Sequence, residues 1–259
     1  MTRRLPSGAA WVAALTYAFL HLPLLVLMVF AFNRSRFSVQ WKGFTLEWFA
    51  RLAHRPDVLR ALRQSVVVGL ASTALATMLG TLLALALGRH LRRGRRLSEA
   101  LLYLPIVTPE IVAGISLLLL FAALGVTLGL GTIVVAHTAF SLPFVTIVVL
   151  ARMAGMDRSL EEAAMNLGAD ELATFRQVTL PQLLPGVVAA ALLAFTLSFD
   201  DFVITFFVAG VGSSTLPLVV YSMVRKSVEP TINAISTSML VVTTLLVWAA
   251  ERLARGSAR

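Results

Sequence analysis

The chain has 259 residues, 58% of them hydrophobic and only 14% charged, with a net charge of +9 and no cysteine; its mean hydropathy is +0.85. A soluble domain carries about a quarter charged residues, so this composition excludes one and leaves an all-α polytopic membrane protein, read as a single transmembrane domain over residues 1–259 with its core at about 60–250. The lack of cysteine excludes disulfide frameworks, thiolate metal sites and cysteine nucleophiles, and the basic excess fits arginines flanking membrane spans rather than a nucleic-acid surface.

Six spans are predicted in chain order, at about residues 11–32, 63–88, 100–122, 129–150, 183–207 and 231–250. The first follows Arg3 and Arg4 and is too long for a signal-peptide core, so it reads as an uncleaved span. The segment from Asn33 to Arg63 then carries seven basic residues together with Glu47 and Asp57. Within it, Phe44-Thr45-Leu46-Glu47-Trp48-Phe49 is an amphipathic piece suited to a membrane interface, where Trp is favoured. After the second span, five arginines fall in the eight residues from Arg89 to Arg96. Cytoplasmic loops are the ones enriched in Lys and Arg. That loop is therefore expected inside, both termini with it, and the Asn33–Arg63 segment outside despite its own positive charge.

The loop after the fourth span, about residues 152–182, is too charged for lipid and too patterned for a linker. It reads as two short helices. Ser159 followed by Glu162 fits a capping box, Ala163, Ala164, Met165 and Leu167 are helix formers, and Gly168 suits the left-handed residue that ends a helix. Asp170 caps a second helix through Glu171, Leu172, Phe175 and Val178, and Pro181 and Pro185 punctuate the start of the fifth span. From the residues alone, this is either a docking element or an amphipathic hairpin lying on lipid headgroups.

Among the ionisable residues inside the predicted spans, four stand out in the later ones: Glu110, His137, Asp200 and Asp201. Such residues are costly in lipid and are functional candidates by default. Three are acids and none is Lys or Arg, which suggests a path for a cation. Glu110 lies near the middle of the third span, after Pro105 and Pro109; the alternative is a protonated Glu bonded to a neighbouring helix. Asp200 and Asp201 are adjacent, so on a helix they point about 100° apart and one can face a cavity while the other meets a neighbour. Their alternative is a hydrated pair near the outer surface. Phe199, Phe202, Phe206 and Tyr221 are candidates for cation–π contact, or for plain packing. His137 reads as an interhelical hydrogen bond, and Glu229, before Pro230, as a solvated loop residue.

Glu162-Ala163-Ala164, Gly168-Ala169, Phe175, Val178, Leu180-Pro181 and Pro185 together resemble the signature loop of binding-protein-dependent ABC importer permeases. The resemblance implies a six-helix type I permease fold with a cytoplasmic coupling helix that fits a groove in an ATP-binding subunit. Glu161, Glu162, Ala163, Ala164 and Gly168 would form that docking region. The runs Thr108-Pro109-Glu110-Ile111-Val112, Ser198 to Phe207, and Phe32-Asn33-Arg34-Ser35-Arg36-Phe37 are similar to those of polyamine importer permeases, most closely the second permease subunit of spermidine/putrescine systems.

The expected substrate path is Glu110, Asp200, Asp201 and Phe202. The expected partners are a second and different permease chain, two ATP-binding subunits, an extracytoplasmic binding protein and membrane lipid, in a bacterial cytoplasmic membrane. The chain has no Gly-x-x-x-x-Gly-Lys-Ser/Thr loop. ATP and magnesium are therefore expected on the partner chains; in this chain no cofactor or metal is expected, and as a transport subunit it is expected to be no enzyme. The rival readings are permeases for ferric iron, thiamine, phosphonate or sulfate, a stand-alone secondary transporter, and an intramembrane aspartyl enzyme. The last fails because neighbours on one helix do not converge as a catalytic dyad must.

Overall fold

A computed structural model describes residues 7–35, 40–90, 95–226 and 230–256. Arg3, Arg4, Arg36, Phe37, Arg92, Arg93 and Glu229 lie outside the described residues. The structure is 83% helical, and its one strand-like feature among the described residues is an isolated antiparallel bridge between Asn33 and Phe44. Among the described residues, five helices are long and apolar enough to span a membrane, or six if one sharply bent pair counts as a single span. The chain forms two compact units, Met1–Leu59 with Val219–Val242, and Arg60–Leu218 with Thr243–Arg259.

In the first unit, α1 (Ser7–Ala31) is an apolar helix followed by a loop built on Asn33. The Asn33 side chain is fully buried. Its Nδ2 donates to the Gln40 carbonyl at 2.8 Å, and its Oδ1 accepts from the N–H groups of Ser35 at 3.1 Å and Lys42 at 2.9 Å. The helix α2 (Glu47–Ala53) follows. Its Trp48 is only 4% exposed and donates its indole N–H to the Asn33 carbonyl at 2.7 Å. Trp48 therefore anchors the loop from within. Asn33→Ala would orphan the two N–H groups and loosen the loop by roughly 2 kcal/mol. Limited proteolysis should then cut between residues 34 and 46 faster than in the unaltered protein, and an unchanged cleavage rate would refute the role.

The second unit holds the packed core. The helix α3 (Pro56–Leu85) ends in a π-helical turn at Ala86–His90. The helices α4 (Arg95–Val107) and α5 (Glu110–Ala123) follow, then α6 (Leu130–Ala154). Val145 and Val149 of α6 pack with Leu183, Ala190 and Ala194 of α9 (Leu180–Asp200) and with Ala76 and Ala84 of α3. Lipid leaves no hydrophobic drive between helices, so close packing of small residues such as these alanines is what holds them together.

The structure breaks two spans that sequence reading drew as continuous. The third bends by 106° between Val107 and Glu110. Pro109 has no N–H to continue the helix and takes an extended ψ of 134°, while Thr108, the residue before proline, is disfavoured in the helical region. The fifth span ends at Asp200, and a separate short helix, α10 (Val203–Val208), follows it. At its other end, the fifth span runs back without a break through a π turn at Phe175–Thr179 to α8 (Glu171–Thr174). Pro181 and Pro185 thus sit inside the helix, and the π turn takes up the irregularity they were expected to cause. The fold closes with α11 (Leu216–Lys226) and α12 (Pro230–Gly256).

Candidate functional site: a docking loop and two broken helices

The loop helix α7 spans Ser159–Asn166. The predicted capping box is absent: the Asp157 carboxylate, not the Ser159 hydroxyl, caps the start by accepting the Ser159 N–H at 2.9 Å. The Ser159 N–H and then its hydroxyl hold the Asp157 carboxyl below its ordinary range. The helix ends as expected at Gly168, with φ of +93°. The Ala169 N–H bonds to the Ala164 carbonyl at 3.1 Å and the Gly168 N–H to that of Met165 at 3.0 Å, the paired pattern of a Schellman cap. Asp170 caps α8 through the Ala173 N–H at 2.6 Å.

The two glutamates of this loop face opposite ways. Glu161 turns toward the body of the unit. It is paired with Arg89 of the first π turn and accepts the Thr179 hydroxyl of the second at 2.6 Å. Arg89, Glu161, Met153 and Arg158 line a cavity of about 250 Å³ beneath α7. Glu162, Ala163 and Gly168 are exposed and Ala164 is half-buried. Leu160, Met165, Leu167 and Leu172 are exposed around them, Leu167 at 90%. An uncovered apolar surface of this kind, rimmed by polar groups, marks a protein or membrane contact.

At the other breaks, Glu110 is the first residue of α5 and is exposed, where a helix N-terminus favours a carboxylate. Gly114, one turn later on the same face, abuts α10: a Cβ there would lie 2.6 Å from the Phe207 ring and 3.5 Å from Ile204 Cα. A second cavity of about 250 Å³ lies in the crook of the bend, lined by Leu104, Pro105, Thr108, Ser116, Phe140 and Ile204 among others.

Asp200 and Asp201 diverge as anticipated, but because the helix ends between them. Asp200 is exposed, whereas the Asp201 side chain is 5% exposed. Asp201 accepts from His137 Nε2 at 3.1 Å, from the Thr205 hydroxyl at 2.7 Å and N–H at 2.8 Å, and from the Ile204 N–H at 3.3 Å. His137 is the interhelical hydrogen-bonding residue that its position suggested. Of the aromatics, Phe199 is buried, Phe202 is half-buried beside Phe206 at 5.7 Å between centroids, and Phe206 is exposed. The Tyr221 ring carries the Arg225 guanidinium at 5.3 Å. Sequence reading missed Ser198 and Thr205, whose hydroxyls complete the His137 cluster. An Asp followed by Thr four residues on, at a helix start, was the available signal.

A family model described as the inner membrane component of binding-protein-dependent transport systems matches residues 55–259. The chain belongs to this family. Two relatives are the spermidine/putrescine transport system permease protein PotC of Escherichia coli (strain K12) and the putrescine transport system permease protein PotI of the same strain. The first is 41% identical over 239 residues, covering 92% of this chain and 90% of PotC; the second is 40% identical over 233 residues, covering 87% and 83%. A solved bacterial ABC transporter involved in import of the acidic polysaccharide alginate has the same fold, with a TM-score of 0.74 at 14% identity over 97% of this chain and 99% of that one. The chain is thus a multi-pass inner-membrane permease subunit of an ABC importer and not an enzyme.

Proposed function

We propose that this permease imports a polyamine. The observation that carries the reading is the 41% identity to a spermidine/putrescine permease over nearly the whole chain. The chemistry of the site supports it. Polyamines carry ammonium groups separated by methylenes, and carboxylates hold ammoniums by charge-assisted hydrogen bonds. Glu110 and Asp200 are exposed acids at two breaks, and the crook of the bent span offers an apolar wall for methylenes. Phe202 and Phe206 add ring faces nearby.

In this reading a second, different permease chain completes the path and an extracytoplasmic binding protein delivers the amine. Both termini lie in the cytoplasm. Two ATP-binding subunits, which carry the nucleotide and its magnesium, dock at Glu162, Ala163, Ala164 and Gly168. Closure of the ATPase pair pushes on α7, and Glu161 passes the movement to α3 and α9 through Arg89 and Thr179. The test is uptake of labelled spermidine and putrescine by the reconstituted complex. ATP-dependent uptake is expected, and Glu110→Gln or Asp200→Asn should each lower it about tenfold, as loss of a charged hydrogen bond implies. Uptake by this chain alone without ATP, or no amine uptake by the full complex, would overturn the reading. Normal uptake by both variants would remove the cation path.

A further inference from the structure

The four acceptor positions of a carboxylate are nearly all used at Asp201. Its Oδ2 takes the Thr205 N–H, the Thr205 hydroxyl and His137 Nε2, and its Oδ1 takes the Ile204 N–H. An ionised carboxylate only accepts, so His137 carries its hydrogen on Nε2, which also lies 2.8 Å from the Thr205 hydroxyl. On the other side of the ring, Nδ1 meets the Ser198 hydroxyl at 2.7 Å, and Ser198 meets Ser72 of α3 at 2.9 Å. Every member is enclosed: Ser72 and Thr205 are fully buried, and His137 is 1% exposed. The cluster ties α3, α6, α9 and α10 together at one point.

The far end of α10 is fixed to the same helix. The Thr132 hydroxyl of α6 donates to the Val208 carbonyl at 2.7 Å. The six-residue α10 is too short to be stable alone, and it is clamped to α6 at both ends. It packs on α5 through Gly114 against Ile204 and Phe207, one turn from Glu110.

The geometry points to His137, Ser198 and Thr205 as positioning residues that make Asp201 the pin of the α9–α10 break. Through α10 and α5 the pin holds Glu110 in place, and Asp200 alone of the two aspartates is left to meet a cationic cargo. Asp201 acts by holding the half-helix; its carboxylate does not bind the amine. This rests on the permease reading and refines the role of one of its acids.

Thr205→Val is the discriminating variant, because a fully buried side chain cannot touch cargo. In the full reconstituted complex it should lower both uptake and binding-protein-stimulated ATPase rate about fivefold. The ratio of triamine to diamine uptake should stay unchanged, and Thr205→Ser should restore activity. His137→Ala and Asp201→Ala should each cost about tenfold or more, as breaking a buried pair does. The double variant should be no worse than either single one, since residues in one network are not additive. Normal activity of Thr205→Val overturns the proposal. So does additivity of His137→Ala with Asp201→Ala, or a changed cargo ratio or KM in Asp201→Ala alone. Where the alanine variants fail to assemble, Thr205→Val and Ser198→Ala decide. If the unaltered complex takes up no amine, the cargo reading fails, and the ATPase rate of Thr205→Val still decides the pin.

Discussion

Gly210→Ala should prevent the subunit from accumulating in an assembled complex. A Cβ at Gly210 would lie 1.8 Å from the Leu128 carbonyl oxygen and 2.4 Å from its carbon. Both are backbone atoms, so no side-chain rotation relieves the overlap. Neither segment is free to retreat. Gly210 is bonded to Ser213 through its N–H at 2.7 Å and its carbonyl at 2.7 Å. The next residues are tied to α3, where Gln64 donates to the Gly212 carbonyl at 2.8 Å and Ser65 accepts the Leu216 N–H at 2.7 Å. On the opposing side, Gly129 is held by the Thr132 hydroxyl at 2.8 Å. Forcing extra volume into a site this constrained costs more than about 3 kcal/mol, a large part of a typical domain's stability. The measurement is the amount of purified complex and its thermal midpoint. Gly131→Ala is the control, since its Cβ meets open space within α6, and it should leave both values unchanged or slightly raised. Wild-type yield and midpoint for Gly210→Ala would show that this approach is not required.

Gly168→Ala should leave insertion intact and impair coupling. Here the space is open: a methyl group at this position on the loop surface would meet nothing within 4 Å, so the whole penalty is in the backbone. At φ of +93° an L residue pays about 1–2 kcal/mol relative to glycine. The Schellman bonds to Ala164 and Met165 hold the loop only in that conformation. Relaxing it would move Leu167 and the exposed face of α7 that the ATPase is proposed to grip. A penalty near 1.4 kcal/mol corresponds to about a tenfold drop in binding-protein-stimulated uptake. Gly168→Asn should fall between, because Asn tolerates the left-handed region better than Ala. Glu162→Ala should also lower coupled uptake, through the exposed surface rather than the backbone. If Gly168→Ala and Glu162→Ala both transport at wild-type rates, the docking role is wrong.

The caps at Gly168 and Asp170 were readable because they rest on short-range stereochemistry: a left-handed residue after a helical run and an acid three residues before a free N–H. The capping box at Ser159 was misread because Asp157, two residues earlier, competes for the same N–H. Glu161 and Glu162 are indistinguishable in sequence. Which of them faces the body depends on where Arg89 and Thr179 arrive, 72 and 18 residues away. The break after Thr108 had its signal in Pro109, yet a proline permits a kink without setting its angle, and 106° follows from the packing of α5 on α10.

The same division runs through the whole chain. Sequence alone determined the membrane class, the loop and its terminating residues, and the family, because apolar run length, local capping and a spaced motif are properties of neighbours along the chain. Tertiary structure decided which acid stays exposed and which is pinned. Thr205 lies four residues from Asp201 and was locally legible, but His137 reaches Asp201 from 64 residues away, oriented by Ser198, and no local rule encodes that arrival.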